Sequence, residues 1–519
     1  MVRSWLIFAS HLFVILLFFC HTKGANIVLA PLFGSSHYIL FRTIGEELGS
    51  RGHQVTLLLS STQSYKPSDA FTTEVYQVPY EPDFIEKFLA RSMEKDNNNT
   101  SDQASGFDIL NNLAENHANF CRSLVKWEGI KGLKPDVIVG DSHFSCSGVL
   151  NDLLDSKLVL ICPSGLTHGM LPIFKNPNPL SYAPQPFSGL DDQMDFKGRM
   201  INVAGWLLTN FVGRVFMFPA VDKIKKEYNI KPEVSTEEAL GKAELMLVQT
   251  HFALDFPRPL TPSIIVTGPI LPKPAKPLPI DLEKFMASAG DDGVIIVSFG
   301  SMMSSLPIPT IKMLAKVLGE MKQKVLWKLK GNLLSSKPSN IKTVDWMPQN
   351  DVLGHPKTKL FLSHVGHNSM YEAAYHGVPI VGFPMWSDQP ENAQQVVRAG
   401  MGLWLDINSV KEDELRMTIS RVMTEASFKS NATGISRLLR DHRRTPLELT
   451  ADWIEFVLRH NGAPHLRIQA FNMPWYEENS VDVGMFLLTM IASLLACTML
   501  CCRCACKCCR RNQPKPKVD

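Results

Sequence analysis

Short apolar runs, each followed by polar residues and then by a helical pattern, recur along the chain. Continuous runs of about four to eight apolar residues predict buried parallel strands, and the patterns between them predict amphipathic helices. The predicted strands are 26–30, 54–59, 136–140 and 157–161 in the first half, and 294–298, 324–328, 359–363 and 378–384 in the second half. This alternation predicts two α/β units with parallel sheets.

The first predicted unit opens with a strand, a loop, a helix and a second strand. The loop is 31–37, and a helical pattern over 38–48 leads to the strand at 54–59. This order is the βαβ unit of a Rossmann-like domain. The loop has no GxGxxG sequence, so a dinucleotide-binding fingerprint is absent. Residues 65–125 are predicted to form connectors and amphipathic helices.

Prolines separate the two predicted units. Six prolines lie between residues 249 and 276, and two more follow at 277 and 279. Proline interrupts helices and central strands, so this stretch predicts a linker. Residues 167–219 also begin with several prolines and continue as an apolar helical stretch. That stretch fits either an apolar acceptor lobe that touches a bilayer or an ordinary buried helix, and its composition does not decide between them.

Both ends of the chain have targeting features. Arg3, an apolar run at 5–20 and a small-residue site at 22–24 predict a secretory signal peptide. Residues 483–502 are uncharged and long enough to cross a bilayer, and basic residues follow them, which predicts a lumenal body and a cytoplasmic tail. Lys515 and Lys517 resemble a dilysine signal for retrieval to the endoplasmic reticulum, although they also fit positive charge beside a membrane span.

These signals predict a single-pass type I protein of the endoplasmic reticulum membrane. Its predicted segments are a signal peptide at 1–24, an N-terminal Rossmann-like acceptor domain at 25–248, a proline-rich linker at 249–290, a C-terminal Rossmann-like nucleotide-sugar domain at 291–446, closing helices with a juxtamembrane segment at 447–480, a transmembrane helix at 483–502 and a cytoplasmic tail at 503–519.

Charge and cysteine usage limit the function classes. The formal net charge of +3 is small, and no lysine-rich patch with interleaved aromatics appears, so nucleic-acid binding is not expected. Seven of the 11 cysteines lie at 497–509, where acylation is left open, and Cys121, Cys146 and Cys162 remain in the predicted lumen. The fold is therefore not a disulfide scaffold. Sequons predict glycosylation at Asn98, Asn99 and Asn431.

Polar residues follow the strands at 359–363 and 378–384. In a doubly wound sheet a ligand binds at the carboxyl ends of the strands. A loop leads into a helix predicted to begin near Met370, and the N-terminus of that helix, with the small Gly366 before it, suits a phosphate. The surrounding side chains suit ribose, a base and sugar hydroxyls. The predicted pocket for a nucleotide-diphosphate sugar contains Ser301, Trp346, Gln349, His364, Gly366, Asn368, Ser369, Glu372, Asp388 and Gln389.

The run at 346–389 resembles the signature of the UDP-glycosyltransferase family, which contains the UDP-glucuronosyltransferases. Further matches are the loop at 34–37, Asp141 at a strand end, and the runs at 255–259 and 299–301, so the resemblance covers nearly the whole chain. It implies the GT-B fold, an α/β fold with two Rossmann-like domains facing a cleft. It also implies transfer of a sugar from a UDP-sugar to a hydroxyl or amine of a small lipophilic acceptor.

The same resemblance implies a catalytic pair. In the family a histidine of the first loop deprotonates the acceptor and an aspartate holds that histidine, and the matching residues here are His37 and Asp141. An imidazole has a pKa suited to general-base work, and a carboxylate on its other nitrogen fixes the tautomer. One base without an enzyme nucleophile implies inversion at the anomeric carbon. No metal or cofactor is expected, because the aspartate pairs at 191–192 and 291–292 do not follow strands.

Two positions depart from the family pattern. The signature usually reads His-Gly-Gly, and here Val365 replaces the first glycine, so the backbone must accept a β-branched residue. Many members that use glucuronic acid have an arginine at the position of Gln249. The loss of that charge-assisted pair favours a neutral hexose such as glucose, galactose or N-acetylglucosamine over glucuronic acid.

Two other functions compete with glycosyl transfer. A non-catalytic lipid- or steroid-binding membrane protein on the same fold would have lost the base or the donor pocket, and both are intact. A serine esterase that uses Ser142 has little support, because the fold already accounts for the strand end at which this residue lies. The identity of the acceptor and the oligomeric state, including a homo-oligomer, are not readable from the sequence.

Overall fold

The structure is a computed structural model that describes residues 24–82, 84, 87, 106–167, 170–300, 306–331, 333–334 and 337–511. Residues 1–23 of the predicted signal peptide, Asn98, Asn99, Ser301 and the two tail lysines lie outside the described residues. The chain divides into two compact units, one up to Leu466 and one from Arg467. The first unit contains two parallel sheets.

The first sheet has seven strands in the described part of the chain. They are β1 (Asn26–Ala30), β2 (Gln54–Ser60), β3 (Thr72–Tyr76), β4 (Val137–Asp141), β5 (Lys157–Cys162), β6 (Leu245–Val248) and β7 (Ile264–Val266). Their order in the sheet is β3-β2-β1-β4-β5-β6-β7, and every neighbouring pair is parallel.

The second sheet has six strands in the described part of the chain. They are β8 (Val294–Ser298), β9 (Lys324–Lys328), β10 (Ile341–Val344), β11 (Thr358–Ser363), β12 (Ile380–Gly382) and β13 (Gly402–Trp404). Their order is β10-β9-β8-β11-β12-β13, again with parallel pairs. Two doubly wound parallel sheets of this kind are the GT-B architecture that the sequence predicts.

Helices connect the strands and cover the sheets. In the first half they are α1 (Ser35–Ser50), α2 (Gly106–Lys126), α3 (Cys146–Leu154), α4 (Phe196–Val212), α5 (Phe218–Glu227) and α6 (Thr236–Gly241). In the second half they are α7 (Ile280–Ala287), α8 (Ile308–Gly319), α9 (Gln349–Leu353), α10 (His367–Tyr375), α11 (Gln389–Arg398), α12 (Glu412–Thr424), α13 (Ala426–Arg440) and α14 (Pro446–His460).

The central strands are apolar along their whole length because both faces of each sheet are covered. In β4, Val137 and Val139 face one apolar core and Ile138 faces another. A parallel sheet buried on both faces requires such continuous apolar runs. The same arrangement recurs around β8 in the second half. This is why the central strands could be predicted from hydrophobicity alone.

The order of the strands fixes where a ligand can bind. In the first sheet β1 lies between β2 and β4, and in the second sheet β8 lies between β9 and β11. The chain changes direction across the sheet at these points, and the crevice outside their carboxyl ends is the binding place in doubly wound folds. The segments that follow β1, β4, β8 and β11 therefore form the site.

Several elements differ from the predictions. The stretch predicted as a linker includes β7, which pairs with β6 as the edge strand of the first sheet. Helix α1 begins at Ser35 rather than near residue 38, and α10 begins at His367 rather than near Met370. Strand β3 lies within 65–125, where only connectors and helices were predicted. The first turns of α1 and α10 are polar because they face the cleft, so they lack the apolar period of a packed helix.

Two further features bear on the predicted targeting to the endoplasmic reticulum membrane. Cys121 in α2 and Cys146 in α3 form a disulfide, with their Cα atoms 5.3 Å apart. Two described segments are long and apolar enough to cross a bilayer, Phe196–Glu227 in the first unit and Val481–Lys507 in the second. The first of these segments contains α4, whose Phe196, Leu207 and Leu208 are exposed. The second is part of a single helix, α15 (Val481–Arg511), which covers the predicted membrane span.

Candidate active site

A cavity of about 990 Å³ lies between the two sheets, at the carboxyl ends of their strands. His37, His143 and Ser164 line it from the first half, and Trp346 and Asp388 are among the residues that line it from the second half. The sequence predicted a cleft divided in this way. Both predicted groups of residues, the base and the donor pocket, therefore face one space.

His37 and Asp141 form a close pair on the first-half wall. Nδ1 of His37 lies 2.5 Å from Oδ2 of Asp141, which is the last residue of β4 and is 0% exposed. A carboxylate accepts, so Nδ1 has the hydrogen and Nε2 keeps a lone pair. Burial lowers the pKa of His37, but the charge of Asp141 and its hydrogen bond outweigh burial and raise the pKa above 6.5.

Asp141 is held by more than one group. Its Oδ2 accepts from the backbone N–H of Leu32 at 3.3 Å, and its Oδ1 accepts from that of His143 at 2.9 Å. Burial raises the pKa of Asp141, but His37 and His143 together hold it well below its usual range. The carboxylate is therefore ionised and fixed in direction, as an orienting partner for an imidazole must be.

A second histidine and a serine extend from the same carboxylate. Nδ1 of His143 lies 3.4 Å from Oδ1 of Asp141, and its Nε2 lies 3.0 Å from Oγ of Ser164. Both His143 and Ser164 line the cavity. Neither residue was predicted as a site residue. His143 stands two positions after Asp141 at the end of β4, and Ser164 follows β5, so the rule of strand ends could have found them.

The loop before α10 is built around the ring of His364. A Cβ placed on Gly366 would lie 2.5 Å from Nε2 of His364, and one on Gly300 would lie 2.7 Å from the same atom. Glycine at these two positions therefore makes room for the ring. Burial lowers the pKa of His364 to about 4, so the ring is neutral and donates through one nitrogen only.

Three predicted donor-pocket residues form a network between the start of α9 and the first two turns of α10. Nε2 of Gln349 donates to Oγ of Ser369 at 3.0 Å and to Oε2 of Glu372 at 2.5 Å. Burial raises the pKa of Glu372 to about 7, although the bond from Gln349 acts in the opposite direction. Asn368 lies beside them on the cavity wall. The network leaves one oxygen of Glu372 for a ligand.

Trp346 and Lys328 stand together at one end of the cavity. Trp346 is 65% exposed, so one face of its indole is available for stacking. Nζ of Lys328 lies 4.8 Å from the centre of the Trp346 ring and donates to the carbonyl of Gly300 at 3.0 Å. Lys328 ends β9 and was not predicted as a site residue. Its ammonium is a cation on the second-half wall of the cavity.

Asp388 and Gln389 use part of their hydrogen-bonding capacity on neighbouring protein groups. Oδ2 of Asp388 accepts from Nδ2 of Asn392 at 2.7 Å and from the backbone N–H of His367 at 3.3 Å. Oε1 of Gln389 accepts from the backbone N–H of Met385 at 2.9 Å. What remains for a ligand is one oxygen of Asp388 and the amide nitrogen of Gln389, which offers both an acceptor and a donor.

Comparison with known proteins agrees with this geometry. The family model described as UDP-glucoronosyl and UDP-glucosyl transferase matches residues 26–516. The chain belongs to the UDP-glycosyltransferase family. It is 34% identical to UDP-glucuronosyltransferase 2B7 of Homo sapiens over 98% of this chain and 99% of that protein. It is also 34% identical to UDP-glucuronosyltransferase 2A3 of Cavia porcellus, over 90% of this chain and 91% of that protein.

Solved structures agree with the family on the fold. The spinosyn forosaminyltransferase SpnP has a TM-score of 0.58 and 16% identity, and it covers 84% of this chain and 99% of its own. Os79 from O. sativa, solved in complex with UDP, has a TM-score of 0.57 and 18% identity, with 83% and 100% covered. This UDP-glycosyltransferase therefore has the GT-B fold. The family match and the relatives show that it is a glycosyltransferase enzyme.

Val365, which replaces the first glycine of the family signature, has a backbone conformation that favours glycine. Its φ is +60°, in the left-handed region, and its side chain is fully buried. A β-branched residue is strained there, whereas glycine is not. The neighbouring contacts hold the conformation: Oγ of Ser363 accepts from the Val365 N–H at 3.0 Å, and Nδ2 of Asn392 donates to the Val365 carbonyl at 3.0 Å.

Gln249, the second departure from the family pattern, lies behind the cavity wall. Its side chain is 1% exposed, and its Nε2 has no hydrogen-bond partner among the described residues. Its backbone carbonyl accepts from Nε2 of His367 at 2.5 Å. His367 lines the cavity and was not predicted as a site residue. The contact of Gln249 with a donor sugar stays a prediction.

Two other predicted residues fall outside this geometry. Ser301 lies outside the described residues, so its contact with a phosphate stays a prediction. Asn431 lies on α13 and is exposed, and its Nδ2 donates to the carbonyl of Gly400 at 3.0 Å. Its glycosylation also stays a prediction.

Proposed function

We propose that this enzyme transfers a sugar from a UDP-sugar to a hydroxyl or amine of a small lipophilic acceptor, with inversion at the anomeric carbon. The observation that supports this proposal most is the His37–Asp141 pair, which faces the donor pocket across one cavity. Nε2 of His37 takes the acceptor proton, the acceptor atom attacks the anomeric carbon, and UDP leaves from the opposite face. Transfer from an α-linked donor then gives a β-glycoside.

The donor lies against the second half in this proposal. Trp346 stacks on the uracil, Glu372 accepts from ribose hydroxyls, and the N-terminus of α10 receives the diphosphate. A neighbour of similar fold, Os79, was solved with UDP bound, which supports a nucleotide in this half. Lys328 and the dipole of α10 place positive charge on the same wall, so the leaving diphosphate needs no metal ion to neutralise it.

The location that we propose is the endoplasmic reticulum membrane, with the catalytic body in the lumen. The apolar helix at Val481–Lys507 supports anchoring, and the basic residues after it support a cytoplasmic tail. The Cys121–Cys146 disulfide suits an oxidising compartment. The donor is either glucuronic acid, as the names of the relatives suggest, or a neutral hexose, as Gln249 suggests.

The mechanism is tested by His37→Ala. His143 also contacts Asp141, but its Nε2 already lies 3.0 Å from Oγ of Ser164. We therefore do not expect it to replace His37, and transfer should fall by at least about 100-fold. UDP binding stays near the wild-type value because His37 lies on the acceptor side. Microsomes that contain either form are assayed for transfer, and UDP affinity is measured by calorimetry. A variant with near wild-type turnover contradicts the mechanism.

The same microsomes serve to test the metal and the donor. A panel of UDP-sugars is offered with and without a chelator, with one lipophilic phenol as the acceptor. Equal rates with and without chelator are expected, and loss of activity on chelation contradicts the metal-free mechanism. Absence of transfer from every UDP-sugar, over a broad set of acceptors, favours a non-catalytic lipid-binding protein instead.

A further inference from the structure

His367 occupies a position on the cavity wall where the two halves of the molecule meet. It is the first residue of α10 and is 7% exposed. Its ring centre lies 4.9 Å from that of Tyr371, and a Cβ on Gly165 of the first half would lie 3.3 Å from its Cε1. The ring therefore cannot turn freely, and each of its nitrogens has a fixed direction.

One of these nitrogens is committed as a donor. Nε2 of His367 lies 2.5 Å from the backbone carbonyl oxygen of Gln249. A carbonyl oxygen has only lone pairs, so Nε2 must have the hydrogen. Burial lowers the pKa of His367 despite the opposing effects of Asp388, Gln249 and Asp255. The ring is therefore neutral, and Nδ1 keeps a lone pair.

The other nitrogen is an acceptor without a partner. Nδ1 of His367 is buried and makes no hydrogen bond with any of the described residues. Buried polar atoms of native proteins are nearly always paired, and an orphan in an active site calls for a ligand. The ligand atom must be a donor. Phosphate oxygens and sugar carboxylates at neutral pH are acceptors only, whereas a sugar hydroxyl can donate.

We propose that Nδ1 of His367 accepts a hydrogen bond from the 6-hydroxyl of the donor hexose, where a hexuronic acid has a carboxylate that cannot donate, and that the enzyme thereby selects a neutral UDP-hexose over a UDP-hexuronic acid. This inference rests on the proposed function, because it concerns the same donor pocket. It does not depend on the side chain of Gln249, which stands where many family members have an arginine. It depends on the backbone carbonyl of Gln249, which fixes the tautomer of His367.

The charges on the cavity wall agree with a neutral sugar. Asp388, whose Oδ2 accepts from the backbone N–H of His367, also lines the cavity. A sugar carboxylate near His367 would face this carboxylate and the Nδ1 lone pair together. The lysines on the described cavity wall are Lys273, which acts on Glu372, and Lys328, which lies over Trp346. Lys273 stands at the end assigned to the nucleoside and Lys328 on the wall assigned to the diphosphate, so neither is assigned to a sugar carboxylate.

Two substitutions separate the two nitrogens of His367. His367→Gln places an amide near the position of Nε2, so it can still donate to Gln249, but it has no acceptor at the position of Nδ1. His367→Asn has the reverse arrangement: its Oδ1 replaces Nδ1, and it cannot reach Gln249. A merely structural role for the ring would make the two variants differ in stability but not in how they discriminate between donors.

The experiment measures kcat/KM of the full-length enzyme in microsomes for UDP-glucose, UDP-galactose, UDP-N-acetylglucosamine, UDP-glucuronic acid and the monodeoxy analogues of the preferred donor. We expect the wild type to prefer a neutral hexose and to lose about 10- to 100-fold in kcat/KM with the 6-deoxy donor. His367→Gln no longer distinguishes that deoxy donor from its parent. His367→Asn still does, although the lost interdomain bond lowers its activity.

Affinity for UDP, which has no sugar, is measured by calorimetry and stays unchanged in His367→Gln. A wild type that prefers UDP-glucuronic acid overturns this inference and leaves the proposed function standing. The inference is also overturned if His367→Gln loses UDP affinity as much as donor efficiency, or if it discriminates between the parent and deoxy donors as the wild type does. Failure to transfer from any UDP-sugar overturns the proposed function itself.

Discussion

Asp141 is shared by two imidazoles, and this sharing governs how the base titrates. Its Oδ2 orients His37 and its Oδ1 faces His143. The carboxylate raises the pKa of His37 against the opposing effect of burial. The base acts only when neutral, so kcat/KM must fall as pH drops through that raised pKa.

Asp141→Asn should move this acid limb. Removing the negative charge lowers the pKa of His37, so the variant loses activity at a lower pH than the wild type does. The maximal rate also falls, by about 100-fold or more, because the amide no longer stabilises the imidazolium. The measurement is a pH profile of kcat/KM. Asp136→Asn, at the exposed position just before β4, is the control and should leave the pH profile unchanged. An acid limb that does not move in Asp141→Asn contradicts the pairing.

Val365 permits a second prediction at the scale of one residue. Its left-handed φ costs a non-glycine residue about 1–2 kcal/mol. Val365→Gly and Val365→Ala both lose a buried side chain, but only glycine relieves the backbone. We therefore expect the glycine variant to be more stable than the alanine variant by about 1 kcal/mol, in thermal or urea unfolding.

The control for Val365 is Val297 in β8, which is also fully buried but lies in an extended strand. There alanine should be the more stable replacement by about 0.5–1 kcal/mol, the usual order. If the alanine variant is the more stable of the two at both positions, the backbone strain at Val365 does not reduce the stability of the protein.

At the scale of elements, the segment that follows β6 holds the two halves together through α10. The hydroxyl of Tyr371 on α10 lies 2.8 Å from Oγ1 of Thr250 and accepts from the backbone N–H of His251 at 3.0 Å. Thr250 donates to Asp255, which also accepts from Gln395 of α11 at 3.2 Å. The Asp-Phe-Pro-Arg-Pro motif that begins at Asp255 is therefore a joint between the halves.

Tyr371→Phe should weaken this joint. The change leaves the partly buried N–H of His251 without its acceptor and Thr250 without its hydroxyl partner, which costs about 1–3 kcal/mol of unfolding free energy. Tyr375→Phe on the same helix is the control, because its hydroxyl has no hydrogen-bond partner among the described residues, and it should change stability by less than about 0.5 kcal/mol. Equal effects of the two changes on the urea midpoint would contradict the joint.

The accuracy of the sequence predictions differed among elements for physical reasons. Strands such as β1 and β8 were predicted with their observed bounds, because burial on both faces produces continuous apolar runs. The starts of α1 and α10 were placed three residues late because their first turns face a ligand and are polar. His37 therefore lies in the first turn of a helix and not in a loop.

At the scale of the whole molecule, α14 belongs to the second half in sequence and to the first half in space. Ala451, Ile454 and Val457 are buried in the core that also contains β1 and α1. Arg51, the residue directly after α1, donates to Asp452 of α14 at 2.7 Å. The sequence predicted α14 as a closing helix, but an apolar face does not say which core it covers.

Ile454→Ala should therefore destabilise the first half. Truncation of a fully buried isoleucine costs about 2–5 kcal/mol. Hydrogen exchange should accelerate in β1 and β2 and remain slow in β11 and β12. Leu438→Ala, at an exposed position of α13, is the control and should leave both sheets unchanged. Faster exchange confined to the second sheet would contradict the packing of α14 in the core of the first half.

The sequence predicted the two sheets, the cleft and the pair of His37 and Asp141 on one wall. It did not predict the contact of His143 with Ser164 or that of His367 with Gln249. Each of these contacts joins segments that follow different strands, and hydrophobic period gives no distance between such segments. Long-range polar contacts are fixed by tertiary packing, which a single sequence does not display.

The chain crosses between the two halves twice, and the two crossings lie side by side. The chain leaves the first sheet after β7 and returns to it at Pro446, and a Cβ on Gly268 would lie 3.0 Å from Cγ of Pro446. The covalent connections lie at this one place, so once the hydrogen bonds of the joint at Asp255 break, the halves can separate only by turning about it. Opening of the cleft for substrate entry is therefore a rotation with a single pivot. One distance away from the pivot, such as that between Asp192 and Arg398, which are 3.0 Å apart here, is enough to follow it.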